Sequence, residues 1–284
     1  MLVKSITKQY RNSVVLKDLS FHFNQGEIVG LIGRNGAGKS TLMKILAQTI
    51  QSYDGSVFDN HQVGYLIEEP KLFRNKTGLF HLTYFTEIYG NTFKLNEYEG
   101  LLRNLDLFDV LHKKVKEYSL GMRQKLGIVI SLLNHPSYII LDEPTNGMDV
   151  ETSFEVLQEL RRMADERNVG ILISSHKLED IEEICNRVLF LENGKITEEQ
   201  SLLKAEQKRT VTLVFNHSAD VTAFASKQHF GDLIRLGDKD IQIETAAENA
   251  EIFEMINLLG IQLIDFTAEK KTLRSIYMNK ARGE

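Results

Sequence analysis

This sequence has almost no cysteine, no long apolar run and no excess of basic charge. Cys185 is its single cysteine in 284 residues, which excludes an internal disulfide and fits a reducing compartment. The apolar runs fall far short of the roughly 18 residues that span a bilayer, so we expect no membrane-spanning helix. The net charge of −5 argues against a basic nucleic-acid surface, and we expect no nucleic-acid partner.

We also expect no secretion signal at the N-terminus. Residues 1–6 alternate like a strand and contain no apolar core segment of the kind that directs secretion, so we expect a cytoplasmic protein. Cys185 lies at helical spacing with Ile181 and Val188, which predicts a place in the core rather than a reactive role.

A glycine-rich segment between a strand pattern and a helix pattern carries the strongest functional signal. The segment reads Gly33-Arg34-Asn35-Gly36-Ala37-Gly38-Lys39-Ser40-Thr41. Its glycines let successive backbone N–H groups, and the positive end of the following helix, face one anion. We therefore predict a nucleotide-phosphate site in which Lys39 reaches the phosphates and Ser40 ligates Mg²⁺; the alternative is a glycine turn with a surface lysine.

Acidic and polar side chains follow two apolar runs that have the character of buried parallel strands. Asp142 and Glu143 end the run that begins at Tyr138, and His176 follows the run 170–174. Ligands of open α/β sheets bind at these carboxyl ends. We predict that Asp142 holds Mg²⁺ through water, that Glu143 takes a proton from an attacking water, and that His176 senses the terminal phosphate or, alternatively, is a structural hydrogen bonder.

Three further positions are weaker candidates. Pro70 forces extended geometry on the residue before it, so Glu68 is expected on a loop. Ser119 is placed to cap a helix, with Gly121 allowing close approach to its first turn; such an end is a second anion site or simply a capped helix. Tyr10 either stacks on a flat heterocycle or is an ordinary turn tyrosine.

The remaining pattern divides the chain into a domain at 1–200 and a small α+β accessory domain at 201–284. In the first, short strands are predicted at Leu2–Ile6, Val14–Leu16, Leu19–Phe23 and 56–67, and a mostly helical stretch at 72–112 opens a helical subdomain that runs to 135. In the second, a short helical core is predicted within 200–208, strands at Thr210–Phe215, Ile241–Glu244 and Ile261–Phe266, and a helix at Ala246–Leu259.

These motifs, taken together, resemble the nucleotide-binding subunits of ABC transporters. The resemblance rests on the glycine-rich segment, the Glu68 loop, Tyr118 to Met122, Tyr138 to Glu143, Asn146 to Asp149, and His176, in matching order over about residues 1–200. It implies an α/β P-loop NTPase cassette with a mostly parallel core sheet, an antiparallel β subdomain and a helical subdomain. Within the family, the chain looks most like ATPases of ABC-2 exporters that transport or resist bacitracin, lantibiotics and other antimicrobial peptides.

The resemblance also implies roles for individual residues. Gly33 to Thr41 would form the Walker A loop, Asp142 and Glu143 the Walker B acid and catalytic base, and Tyr10 the adenine stack. Further implied roles are the γ-phosphate contact of His176, the place of Asp149 in the loop that crosses a dimer, and the contact of Ser119 and Gly121 with the γ-phosphate bound by the other subunit.

The chain departs from the family pattern at two positions. Glu68 stands where most of these subunits have a glutamine; its carboxylate still ligates Mg²⁺ but adds negative charge beside the triphosphate, which retunes hydrolysis. Leu120 replaces the first glycine of the common signature, while Ser119 and Gly121 are kept.

The implied machine is a pair of cassettes that close on ATP and drive separate membrane subunits at the inner face of the cell membrane. One cassette per chain predicts a homodimer or a sister cassette, and closure would pass through the Glu68 loop and the helical insertion. The rival interpretation is a soluble cassette ATPase acting on ribosomes or nucleic acid; a lone P-loop kinase or GTPase would leave Ser119 unexplained. Three roles remain open for the accessory domain: dimer stabilisation, regulation or a structural cap. The sequence does not identify the transported substrate, because the membrane subunits select it.

Overall fold

The computed structural model describes residues 1–11, 13–58, 63–202, 208–270 and 273. The chain separates into two compact units, Met1–Gln200 and Ser201–Glu284. Within the described residues, no helix combines the length and apolar character needed to cross a membrane.

The first unit contains two sheets and a helical region. Its strands are β1 (Leu2–Tyr10), β2 (Ser13–His22), β3 (Ile28–Ile32), β4 (Asp54–Phe58), β5 (Val63–Leu66), β6 (Tyr138–Asp142), β7 (Gly170–Ser174), β8 (Arg187–Glu192) and β9 (Lys195–Ser201). Its helices are α1 (Lys39–Leu46), α2 (Gly78–Ile88), α3 (Leu95–Asn104), α4 (Leu120–Ser131), α5 (Val150–Arg167) and α6 (Leu178–Ile184), with 3₁₀ turns at Phe108–Val110 and Val115–Glu117.

The larger sheet places the functional loops along one edge. Its strand order is β5-β6-β7-β3-β8-β9, and the pairs from β5 to β8 are parallel. Strands β3 and β7 are buried along their whole length, which accounts for their unbroken apolar character. Since parallel strands end on the same side, the segments after β3, β5, β6 and β7 meet there. The predicted parallel core is confirmed.

The smaller sheet is antiparallel, in the order β2-β1-β4. It corrects two strand predictions. Val14–Leu16 and Leu19–Phe23 are not separate strands, because β2 runs unbroken to His22 and accommodates Asp18, at φ +48°, as an irregularity in its pairing with β1. The single predicted strand pattern 56–67 belongs to two different sheets, through β4 and β5, while residues 59–62 lie outside the described part of the chain.

Within residues 208–270, the second unit forms a four-stranded antiparallel sheet with two helices. Its elements are β10 (Arg209–Phe215), α7 (Ser218–Lys227), β11 (Gly231–Leu236), β12 (Asp240–Thr245), α8 (Asn249–Leu259) and β13 (Leu263–Lys270). The order β11-β12-β10-β13 gives a split βαββαβ arrangement around its own core, which includes Val211, Phe224 and Ile243. The expected α+β class is confirmed.

Helix α7 and strand β11 of this unit were not predicted from the sequence. Strand β9 of the first unit, which follows the turn at 193–195, was not predicted either. Helix α7 buries only Val221 and Phe224, and β11 is exposed over most of its length, so neither shows a clear hydrophobic periodicity in the sequence. The short helical core predicted within 200–208 falls largely on residues 203–207, which are outside the described residues.

Candidate nucleotide-binding site

The glycine-rich segment forms a loop between β3 and α1. Gly38 adopts φ +110° immediately before the helix, a backbone conformation that residues other than glycine rarely adopt. At Gly33 the loop runs so close to Leu191 that an added Cβ would collide with its carbonyl oxygen. These contacts explain the glycines at 33 and 38, and the first N–H groups of α1 have no acceptor within the helix.

Lys39 lies inside this loop. Its Nζ donates a hydrogen bond of 2.7 Å to the carbonyl oxygen of Gly33. Burial lowers the pKa of Lys39, and the carboxylates of Asp142 and Glu143 act in the opposite direction. The ammonium group is therefore held where negative charge would stabilise it.

Asp142 connects three elements at the sheet edge. Its two carboxylate oxygens accept hydrogen bonds from Ser40 Oγ at 2.8 Å and from Ser174 Oγ at 2.5 Å. Ser174 was not predicted as a site residue. The signal was available, because parallel pairing sets Asp142 directly opposite Ser174, the polar last residue of a buried strand.

Glu143 and His176 form a pair next to this centre. Glu143 has a left-handed backbone, φ +50°, and its N–H donates to the carbonyl oxygen of Ser174 at 3.1 Å. His176 Nε2 lies 2.6 Å from Glu143 Oε1. The left-handed conformation costs about 1 kcal/mol for a residue with a side chain, and here it turns the carboxylate toward the histidine.

Glu68 lies on the loop after β5, as predicted, also with a left-handed backbone at φ +64°. Its Oε1 accepts a hydrogen bond of 2.6 Å from Lys44 Nζ on α1. That hydrogen bond and the charge of Lys44 lower the pKa of Glu68. Sequence reasoning missed Lys44, whose position one helical turn beyond Ser40 was the available signal.

Ser119 is the N-cap of α4, as predicted: its Oγ accepts a hydrogen bond of 3.1 Å from the N–H of Met122. An added Cβ at Gly121 would meet Met148 Cγ at 3.5 Å, an ordinary contact. Leu120 fills the space above Gly147, where a Cβ would collide with it. The departure at Leu120 is thus accommodated by the glycine of the following loop.

Asp149 and Tyr10 lie on other elements. Asp149 caps α5 by accepting a hydrogen bond of 2.8 Å from the N–H of Thr152, which lowers the pKa of Asp149. Tyr10 ends β1 and is 45% exposed, with Lys8 Nζ 4.7 Å from its ring centroid. Neither residue shares a described hydrogen bond with the loop, Asp142 or Glu143.

Comparisons with known proteins agree on one family. The ABC transporter family profile matches residues 16–146. The ABC transporter ATP-binding protein YhcH of Bacillus subtilis is 30% identical over 96% of this chain and 92% of its own length. The lantibiotic transport protein SrtF of Streptococcus pyogenes and the bacitracin transport protein BcrA of Enterococcus faecalis are each 34% identical, covering 68% and 72% of this chain and 87% and 70% of their own.

Solved structures lead to the same conclusion. An ATP-binding subunit of an ABC transporter is 31% identical, with a TM-score of 0.63 over 71% of this chain and 89% of that one. A dimeric ATP-binding cassette in a post-hydrolysis state, bound to ADP and Pi, shares the fold at 21% identity and a TM-score of 0.63, over 71% and 98% of the two chains. The chain therefore belongs to the ATP-binding subunits of ABC transporters, ATPases that work with separate membrane subunits.

Proposed function

We propose that residues 1–200 are the ATP-hydrolysing motor of an exporter and that residues 201–284 are an accessory domain. One observation carries the motor assignment: Lys39, Ser40, Asp142, Glu143 and His176 converge at one edge of the parallel sheet. The contacts that support this convergence are those of Asp142 with Ser40 and of His176 with Glu143.

The loop suits a triphosphate with Mg²⁺. We assign the backbone amides of Asn35 to Thr41 and the ammonium of Lys39 to the phosphates, and the ring of Tyr10 to the adenine. Ser40 and Asp142 would hold Mg²⁺, with Glu68 as a further ligand. The Ser40 hydroxyl and the Asp142 carboxylate lie within hydrogen-bond distance of each other and are oxygen donors of the kind that Mg²⁺ prefers, with phosphate oxygens and waters completing its coordination.

Bound Mg²⁺ would supply charge neutralisation at the phosphates. The chain's own residues supply the proton chemistry. Glu143 accepts the proton of the attacking water, and its orientation is set by its left-handed backbone and by His176. We assign the contact with the terminal phosphate to His176, which is half-exposed beside Glu143.

Ser119, Gly121 and Asp149 serve a second subunit in this proposal. The chain itself leaves room for a side chain at Gly121, since the nearest atom to an added Cβ is at an ordinary distance. We assign that space to the nucleotide bound by a facing cassette. The partner is a second copy or a sister cassette.

A groove beside the Glu68 loop is proposed to receive the membrane subunit. It has a volume of about 680 Å³ and is lined in part by Tyr65, Phe85 and Tyr89. This docking would hold the chain at the inner face of the membrane.

The names of two relatives support a proposed cargo, and the export direction is part of the same proposal. SrtF and BcrA are named for lantibiotic and bacitracin transport, so we propose that this chain powers export of an amphipathic antimicrobial peptide or a similar compound. Copurification with a membrane subunit, followed by ATP turnover in the presence of bacitracin or a lantibiotic, tests the cargo. Stimulation by either compound supports it, and indifference of the complex to both refutes it.

The motor itself is tested with Glu143→Gln. We expect this variant to bind ATP, to accumulate as a dimer in size-exclusion chromatography with ATP and Mg²⁺, and to lose at least ~100-fold in hydrolysis. Wild-type protein with ADP is the control and should elute as a monomer. Brisk turnover by Glu143→Gln would refute Glu143 as the base.

A further inference from the structure

We propose that Lys44 is a positioning residue that holds Glu68 away from the metal ligands and competes with Mg²⁺ for its carboxylate. This inference rests on the proposed metal role of Ser40, Asp142 and Glu68. It identifies Lys44 as a counter-ion for Glu68, which a glutamine at position 68 would not need.

The first observation is where the Glu68 carboxylate lies. Its described partner is Lys44 Nζ at 2.6 Å, whereas the Asp142 carboxylate is bonded to Ser40 and Ser174. Glu68 and Asp142 therefore belong to two separate hydrogen-bonded groups. For Glu68 to ligate a cation bound at Ser40 and Asp142, its hydrogen bond to Lys44 must lengthen or break.

The second observation is that the residues that hold the two carboxylates, Lys44 and Ser40, lie on the same helix. Ser40 and Lys44 are four residues apart on α1, so they share a face of the helix one turn apart, with Cβ atoms roughly 5–6 Å from each other. The lysine that holds the Glu68 carboxylate is therefore carried by the helix turn next to the one that carries Ser40. The two positions of Glu68 define an element that Mg²⁺ and Lys44 bias in opposite directions.

The third observation is charge. Asp142 and Glu143 already place two carboxylates near the phosphate loop, and the positive charge there comes from the partly buried Lys39. A third carboxylate released beside a triphosphate would repel it. Lys44 neutralises Glu68 until a cation takes over that role, so nucleotide without Mg²⁺ meets a neutral pair rather than a free anion.

A matched control is present in the chain. Lys71 also influences Glu68 through its charge, but it makes no hydrogen bond to the carboxylate, unlike Lys44. Lys→Met substitutions remove one charge at either position while keeping a long side chain of similar helix propensity. Lys44→Arg keeps the charge and the hydrogen bond.

The test measures the Mg²⁺ concentration that half-saturates binding of a non-hydrolysable ATP analogue. Removing the competitor in Lys44→Met should lower this concentration by about three- to tenfold, whereas Lys71→Met changes it less and Lys44→Arg stays near wild type. Glu68→Gln should raise it. In the Glu68→Gln background, Lys44→Met should have no further effect, because the carboxylate for which it competes is gone.

Thermal unfolding checks that each variant is folded, and Lys44→Gln replaces Lys44→Met if the latter is not. An unchanged Mg²⁺ requirement in the Lys44 variants, or an equal shift in the wild-type and Glu68→Gln backgrounds, overturns the proposal. Absence of Mg²⁺-dependent analogue binding in wild-type protein would instead contradict the proposed nucleotide site, so the two failures are distinguishable.

Discussion

His176 Nε2 lies 2.6 Å from Glu143 Oε1, and this contact joins the segments that follow two neighbouring parallel strands. Both residues follow strands that end at the same edge of the sheet, which fixes the position of their backbone. The backbone of Glu143 is also held by the hydrogen bond from its N–H to the carbonyl oxygen of Ser174. The pair therefore acts as a unit, and the effects of changing its two members should not add.

We predict that His176→Ala lowers ATP hydrolysis by about 10²-fold, because Glu143 loses the group that orients it and the phosphate loses a contact. Nucleotide binding should change little, since Lys39 and the loop are untouched. In the Glu143→Gln background the same substitution should cost almost nothing further. Phosphate release and analogue binding measure these effects, and fully additive losses would show that the two residues act separately.

A second prediction separates helix capping from subunit contact. Ser119→Ala and Thr77→Ala each remove an N-cap hydrogen bond of 3.1 Å, from α4 and α2, so each should lower the free energy of unfolding by about 1 kcal/mol. Dimer formation on ATP should be lost only in Ser119→Ala. Equal dimerisation of the two variants would assign Ser119 to capping alone.

Gly121→Ala provides a third test, with Gly100→Ala as its control. Both glycines are helical; an added Cβ meets an ordinary contact at Gly121 and open space at Gly100. Each substitution should stabilise its helix by about 0.5–1 kcal/mol. We expect both variants to keep their thermal stability, and only Gly121→Ala to lose ATP-driven dimerisation in size-exclusion chromatography. Dimers of both variants would place helix α4 outside the interface.

The fourth prediction concerns His81 at the start of α2. Its Nδ1 donates to the carbonyl oxygen of Thr77 at 2.7 Å and its Nε2 accepts from the N–H of Phe73 at 2.8 Å, so the ring is neutral; burial lowers the pKa of His81. Below the unfolded value of 6.5, the unfolded chain takes up a proton that the folded chain does not. Stability from this residue is therefore full above pH 6.5 and falls as the pH drops toward the lowered pKa.

His81→Gln removes that titration. We expect it to unfold at a lower temperature than wild type at about pH 7.5, through loss of about 1–3 kcal/mol in buried hydrogen bonds, and the gap should narrow at about pH 5. Thermal unfolding across this range measures both effects. A gap that widens toward the acidic end would contradict a neutral histidine in the fold.

The parallel sheet was predictable because strands buried on both faces leave unbroken apolar runs, as at 138–141 and 170–174. The loop positions of Glu68 and the N-cap of Ser119 were predictable from local rules about proline and capping. Lys44 and Ser174 were missed: helical spacing and a strand-end position were available as signals, but their contacts join segments 24 and 32 residues apart, which local rules do not pair. Helix α7 and strand β11 escaped because few of their side chains are buried, so hydrophobic periodicity is faint.

Helix α4 connects the groove with Ser119. Its 12 residues span about 18 Å, from the capping Ser119 at one end to Ser131 at the groove. The groove end is fitted tightly: an added Cβ at Gly127 would lie 2.9 Å from Pro70 of the Glu68 loop, and one at Gly64 would collide with the Ser131 carbonyl oxygen. Helix α4 is therefore packed closely at the groove end and carries Ser119 at its other end, so any rigid movement of the helix at the groove would also move Ser119.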